Sequence, residues 1–172
     1  MKVSVIDAGA LYAFFRAEEF GLTGSETAAD LDASSELRNS IEWVRRHVAD
    51  LVSCRLQKPI EPRRVKCALV APALETQPET TLAARIINME RTHKAFAVSG
   101  AICTAAAAMT PGSVVAEAAG PVRNGYVCIG HPSGSIRVRV ECVADPDHRT
   151  IKSVTVCRSA RVLMRGEALL GC

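Results

Sequence analysis

Two short strings hold the residues best suited to chemistry, HKAFAVSGAICTAAAAMTPGSVV at positions 93–115 and GHPSG at 130–134. The first enters a run of small residues through Ser99-Gly100. That composition suits a helix packed closely on all sides with its amino end open. Serine is a favoured N-cap, and glycine lets a ligand approach the exposed N–H groups. The second string is a compact turn carrying His131, Ser133 and Gly134 between two strand-like segments. Open helix starts and glycine-rich turns both present free backbone N–H groups, and anions bind such groups. Ser99, Gly100 and Ala101 at the helix start are therefore expected to face a small anion. His131 and Ser133 would donate hydrogen bonds to it, and Gly134 would offer its N–H. Lys94, just ahead of the helix, would balance its charge. A bulky residue at Gly100 is expected to block the ligand with little cost to the fold. Each feature also has an ordinary structural explanation: a capped helix, a tight turn, a solvated lysine.

Cys103 lies one turn into the same helix, where the helix dipole would lower a thiol pKa and favour a thiolate. It is the only catalytic candidate in the chain, and its alternative is a small buried hydrophobe, the usual fate of cysteine.

These strings need a scaffold. KVSVID (2–7) and LYAFFRA (11–17) read as two short strands broken at Asp7-Ala8-Gly9-Ala10, and residues 18–33 as loop. A helix starts at Ser34 or Ser35. In it Leu37, Ile41, Val44, Val48 and Leu51 or Val52 recur at helical spacing, while Arg38, Glu42, Arg45, Arg46 and Asp50 are mostly left for solvent. VKCALVA (65–71) is a continuous apolar strand, and RIINME (85–90) reads as another. The Ala-rich helix stops near Thr110-Pro111-Gly112. SIRVRVECV (135–143) alternates, with Ile136, Val138, Val140 and Cys142 on one face. DPDHRT is a turn, and TIKSVTVCRSARVLMRGEALL (150–170) supplies one or two closing strands. The fold class is α+β, a mostly antiparallel sheet or barrel around the Ala-rich helix.

Composition narrows the partners. At 172 residues the chain fits one domain, and 48% hydrophobic against 23% charged residues marks a globular protein. Net charge is +3, the basic residues are scattered and aromatics are 4%, which gives nucleic-acid binding no support. Seven cysteines occur without a Cys-x-x-Cys pair or a histidine at zinc-finger distance, so no structural metal is expected. MKVSVIDAG has no apolar core of signal-peptide length, and Ala95 to Met109 is too short and too rich in Ala, Gly and Ser to span a bilayer. A cytoplasmic protein with reduced thiols is expected.

KCALVAP (66–72), HKAFAVSGAICTAAAAMTPGSVV, GHPSG and RSARVLMRGE (158–167), in this order along the chain, resemble the PrpF family. IDAGALYAFFRAEEFGLTGSE (6–26) is similar to the start of that family's second domain. The resemblance implies one domain of the diaminopimelate epimerase-like fold, and a cofactor-independent isomerase. Such an enzyme shifts the double bond of an unsaturated tricarboxylate, of the 2-methylaconitate, aconitate or 4-oxalomesaconate type, by proton transfer. It also implies that residues 1–172 form a single domain matching the carboxy-terminal half of a two-domain enzyme whose first domain carries the acid/base Cys and Lys. Ala10-Leu11 stands where the family usually has Asn-Pro, and alanine can neither cap the turn nor bond a ligand. Two readings follow. The chain acts in an isomerase with a missing first domain or as a homodimer, or it is a truncated, degenerate domain that binds a small anion or a protein without catalysis.

Overall fold

The computed structural model describes residues 1–87, 91–144, 149–158 and 160–167. In chain order the elements are β1 (Val3–Asp7), β2 (Leu11–Arg16), a 3-10 turn (Ala17–Phe20), α1 (Ala28–Ala33), α2 (Ser35–Leu56), a second 3-10 turn (Pro62–Arg64), β3 (Lys66–Pro72) and β4 (Leu82–Ile87). They continue with α3 (Val98–Ala108), α4 (Val114–Ala118), β5 (Tyr126–His131), β6 (Gly134–Ala144) and β7 (Arg149–Val156).

The seven strands form one sheet in sequence order. Four of the neighbouring pairs are antiparallel, while β2–β3 and β4–β5 are parallel. The two parallel pairs are the two places where helices bridge strands. β2 and β4 run in opposite directions, and the sheet grows in one sense. Crossovers of the usual right hand therefore place α2 on one face and α3 on the other.

The strand sequences follow from this arrangement. Tyr12 and Phe14 of β2, Ala68 and Val70 of β3, and Leu82, Ala84 and Ile86 of β4 join the α3 side of the core. Ala13, Phe15, Cys67, Leu69, Ala71, Ala83 and Ile87 join the α2 side. Strands covered on both faces read as unbroken apolar runs, whereas β6, covered on one, alternates. Ile136, Val138 and Val140 are buried as expected, and the register shifts between Glu141 and Cys142, next to the half-buried Cys142. The sheet curls so that α3 touches β1, β2, β5, β6 and β7. Eight of the eleven α3 residues are buried, and all eight are small: alanine, glycine, cysteine or threonine.

Several sequence expectations change. Residues 18–33 are not loop throughout: α1 starts at Thr27, whose hydroxyl accepts from the Asp30 N–H while the Asp30 carboxylate accepts from the Thr27 N–H. α4 was not expected, and Ser113 caps it by accepting from the Ala116 N–H. Arg45 is not solvated but 1% exposed. Its guanidinium pairs with Glu42 and donates to the carbonyls of Val65 and Ile87, tying α2 to β3 and β4. One closing strand, β7, is present, and residues 157–158 and 160–167 have no regular structure. The last three residues of RIINME, positions 145–148 of the DPDHRT turn and positions 168–170 lie outside the described residues. The six cysteines among the described residues are free thiols. Among those residues no helix is long and apolar enough to cross a membrane.

Candidate functional site

The amino end of α3 is built differently from the sequence expectation. Ala97, not Ser99, is the N-cap, with φ −68 and ψ 143 and no side-chain capping bond. Ser99 is the second helical residue. The helical ladder opens with the Ala101 N–H donating to the Ala97 carbonyl at 2.9 Å. The amides of Val98, Ser99 and Gly100 precede that ladder, whereas the Ala101 amide is spent in it and is not a free donor. The reason for Ser99 lies elsewhere: it is exposed, and its hydroxyl hydrogen-bonds the Tyr12 phenol, whose pKa burial raises.

Gly100 has a packing reason. A Cβ there would lie 2.5 Å from Ile86 Cδ1 and 2.8 Å from the Tyr12 hydroxyl. The helix start sits so close to β2 and β4 that only glycine fits. A bulky residue at this position therefore disturbs the fold, contrary to the expectation that it would spare it.

The GHPSG string forms the β5–β6 hairpin, with His131 opposite Gly134 and Pro132-Ser133 as the loop. His131 is 8% exposed, and its ring stacks on Phe96 at a centroid distance of 6.3 Å. The Ser133 N–H donates to His131 Nδ1 at 3.2 Å. This bond assigns the neutral imidazole its hydrogen on Nε2, so the ring offers a donor there. Burial, and then the charge of Arg85, hold the His131 pKa below its usual value. Behind the hairpin, Gln77 Nε2 donates to the carbonyls of His131 (3.4 Å) and Gly134 (3.3 Å). Gln77 packs so tightly on Gly130 that any Cβ there would collide with its amide oxygen.

Hairpin and helix start are fastened together. Ser133 Oγ donates to the Lys94 carbonyl at 2.5 Å, and Phe96 covers His131 two residues further on. The three residues Ala95 to Ala97 then lead directly into α3. Lys94, His131, Ser133 and Gly134 thus cluster at the hairpin, with Ser99 and Gly100 just beyond the same short connection. One detail departs from expectation: the Ser133 hydroxyl proton is committed to Lys94, so that hydroxyl is an acceptor, not a donor, toward anything else. The Lys94 side chain itself is exposed.

Cys103 does not join this group. It is fully buried, and its Sγ lies 3.4 Å from the carbonyl oxygens of both Ile6 and Ala10. Burial pushes the thiol up to about 12, the reverse of the lowering expected from the helix dipole. Desolvation outweighs the dipole at a site walled by apolar groups and carbonyls. Cys103 holds the β1–β2 turn against α3 as a neutral thiol.

Sequence reasoning missed Arg85. It is 3% exposed on β4, donating to the carbonyls of Glu26 (3.0 Å) and Gly130 (3.4 Å). A positive charge therefore stands directly behind the hairpin. The signal was present, because one arginine inside the apolar run LAARII needs buried partners. Tyr12 and Phe96 gave no such signal, since an aromatic in a core needs no special reason.

The chain as a whole is similar to known proteins. The family profile described as PrpF protein matches residues 1–170. A 2-methyl-aconitate isomerase of Shewanella oneidensis is 31% identical over 96% of the chain. A (4E)-oxalomesaconate Delta-isomerase of a Novosphingobium species is 33% identical over 96% of it. The chain spans 45% of the length of each. In fold it is similar to a crystal structure of methylitaconate-delta-isomerase, with a TM-score of 0.68 at 22% identity, over 91% of this chain and 45% of that one.

Proposed function

The chain belongs to the PrpF family, an isomerase family, and on that premise we propose that it is the carboxylate-holding half of a cofactor-independent isomerase acting on an unsaturated tricarboxylate. The observation that carries the proposal is the Ser133–Lys94 clamp. It fixes the hairpin with its His131 donor beside the connection that opens α3 with three amides outside the helical ladder. Moving a double bond in such a substrate means removing a proton next to carboxylates, which builds an enolate-like anion. That anion needs donors already in place where charge develops. Backbone N–H groups of Val98, Ser99 and Gly100, the Nε2–H of a neutral His131 and the backbone at Gly134 meet that need, with Lys94 supplying a charge nearby. The substrate would be of the 2-methylaconitate or 4-oxalomesaconate kind. On this reading residues 1–172 form a single domain corresponding to the second half of a two-domain enzyme, and either a second copy or a first domain completes the cleft.

A favourable charge at a helix amino end contributes about 0.3–1 kcal/mol when exposed, so several contacts must converge for useful affinity. At a ligand concentration near a hundred times Kd, stabilisation is about 2.7 kcal/mol, or roughly 5–10 °C for a chain of this size. Citrate should raise the melting temperature by that order, and its neutral triethyl ester should not. Equal shifts from both, or none from citrate at tens of millimolar, would overturn the reading. Turnover of 2-methylaconitate, followed alongside the native mass, tests the catalytic part.

A second reading, binding without isomerisation, is favoured by one observation. The only side-chain thiol in the opening turns of α3 is pushed up to about 12, so the helix supplies no base that works near neutrality. Under this reading citrate still stabilises the chain, but no tricarboxylate is turned over.

A further inference from the structure

On the α2 side of the sheet, a cavity of about 800 Å³ opens between the end of α2, the β1–β2 turn and the second 3-10 turn. Its volume falls in the range of sites that hold small organic ligands. Val5, Leu11, Val52 and Ile60 form its floor, and all four pack on the α2-side core, so the floor is continuous with the protein interior. Leu51 and Leu56 stand on its wall at 64% and 60% exposure. Two leucines left in water at one mouth are not random surface scatter.

The rim is basic. Arg55, Arg64 and Lys66 line the cavity, and none has a carboxylate partner among the described residues. Arg63, also on the rim, is paired with Glu61, and Asp7 is the one acidic side chain lining the cavity. An apolar floor under three uncompensated cations has one natural complement: an aliphatic body that ends in a negative charge. The body replaces water over the floor, and the head satisfies the arginines without being buried away from solvent. Tricarboxylates, with no aliphatic tail, would gain nothing from this floor.

We propose that this cavity binds an anionic amphiphile, an aliphatic chain ending in a carboxylate. The cavity lies on the α2 side of the sheet, and through Ala10 of the β1–β2 turn its edge also meets the core around α3. A ligand here would bridge the carboxy-terminal end of α2 and the β1–β2 turn, whose Ala10 carbonyl touches Cys103 of α3.

Calorimetric titration with octanoate, decanoate and dodecanoate below their micellar concentrations tests this. Affinity should rise roughly fourfold per added methylene, as burial of each CH₂ implies. Dodecyltrimethylammonium, with the same tail and the opposite head, should bind at least tenfold more weakly than dodecanoate. The exposed Leu56→Asp substitution and the double change R64E/K66E should each weaken dodecanoate at least tenfold while leaving the melting temperature within about 2 °C. Equal binding of the cationic amphiphile, no dependence on chain length, or full affinity in both variants would overturn the proposal. So would a salt-sensitive dimer abolished by Leu56→Asp in a protein that binds no dodecanoate, because the groove would then be an interface between copies.

Discussion

Cys103 gives the sharpest test of the site's electrostatics, because helix position and burial pull its thiol in opposite directions. With the thiol pushed up to about 12, about one molecule in ten thousand carries the thiolate at pH 8. A free cysteine, with a pKa of about 8.5, is about one quarter ionised there. Thiolate supply alone should therefore make native Cys103 roughly a thousandfold slower toward iodoacetamide than free cysteine, before any steric protection. Timed alkylation at pH 8 followed by peptide mass mapping reads the ratio directly. The same shift has a thermodynamic face. Cys67, also buried, is pushed up to about 11, and both folded values exceed the unfolded one. Stability from these neutral thiols is thus complete below about pH 8.5 and is lost as pH rises toward 11–12, because the unfolded chain ionises first. The two together imply a loss of roughly 3–4 kcal/mol by pH 10. Urea unfolding at pH 8 and pH 10 should show it in the wild type, and a Cys67→Ala, Cys103→Ala pair should be much flatter. Alkylation of native Cys103 within tenfold of the free rate would refute the reasoning. An alkaline loss unchanged in the double variant would refute it equally.

Two further substitutions probe the scaffold. Gly100→Val adds atoms where a Cβ would already lie 2.5 Å from Ile86 and 2.8 Å from the Tyr12 hydroxyl. Overpacking should outweigh the gain in helix propensity and cost about 1–3 kcal/mol, and a melting temperature at or above wild type would contradict this. Arg45→Ala removes the donor to two buried carbonyls and leaves space behind. A loss of about 2–5 kcal/mol by urea unfolding is expected, and a loss below 1 kcal/mol would show that water takes over both carbonyls.

The strands and long helices were legible because their patterns have single physical explanations. Runs such as KCALVA suit a strand covered on both faces, and SIRVRVECV one covered on a single face. α2 declared itself through the spacing of Leu37, Ile41, Val44 and Val48. What stayed hidden depends on contacts between segments distant in sequence. Arg45 looks solvated on a helical wheel, yet the carbonyls of Val65 and Ile87 lie within its reach. α1 could have been found, since Thr27 and Asp30 carry a capping-box spacing in the residues read as loop. At the candidate site, the structure brings the two strings together through Ser133 and Lys94, but the sequence reading misassigned atoms within them. Ser99 looks like a cap, but the extended residue before the helix is Ala97. Ser133 looks like a donor to ligand, but its proton goes to the Lys94 carbonyl thirty-nine residues earlier. Residue types announce chemistry, while the direction of a hydrogen bond depends on neighbours a sequence does not name.

These details bear on how work would be divided at the site. α3, touched by five strands, buries only small residues, and small residues bring backbone rather than side-chain chemistry to its start. Gly100 illustrates the constraint: Tyr12 and Ile86 exclude a side chain there, which leaves its amide as the only group it can present. Of the side chains around it, Cys103 and His131 are held neutral. Burial keeps Cys103 protonated, and burial with Arg85 keeps His131 unprotonated with Nδ1 already accepting from Ser133. Such an assembly suits stabilising negative charge and is poorly suited to taking up a proton. On the reading proposed above, the acid and the base must stand on whatever faces the amino end of α3. Turnover should then appear only when this chain is assembled with that second surface, while the citrate-induced rise in melting temperature should already be present without it. A chain that turns over tricarboxylate as a monomer would break this division, because a base among its own residues would then have to be found.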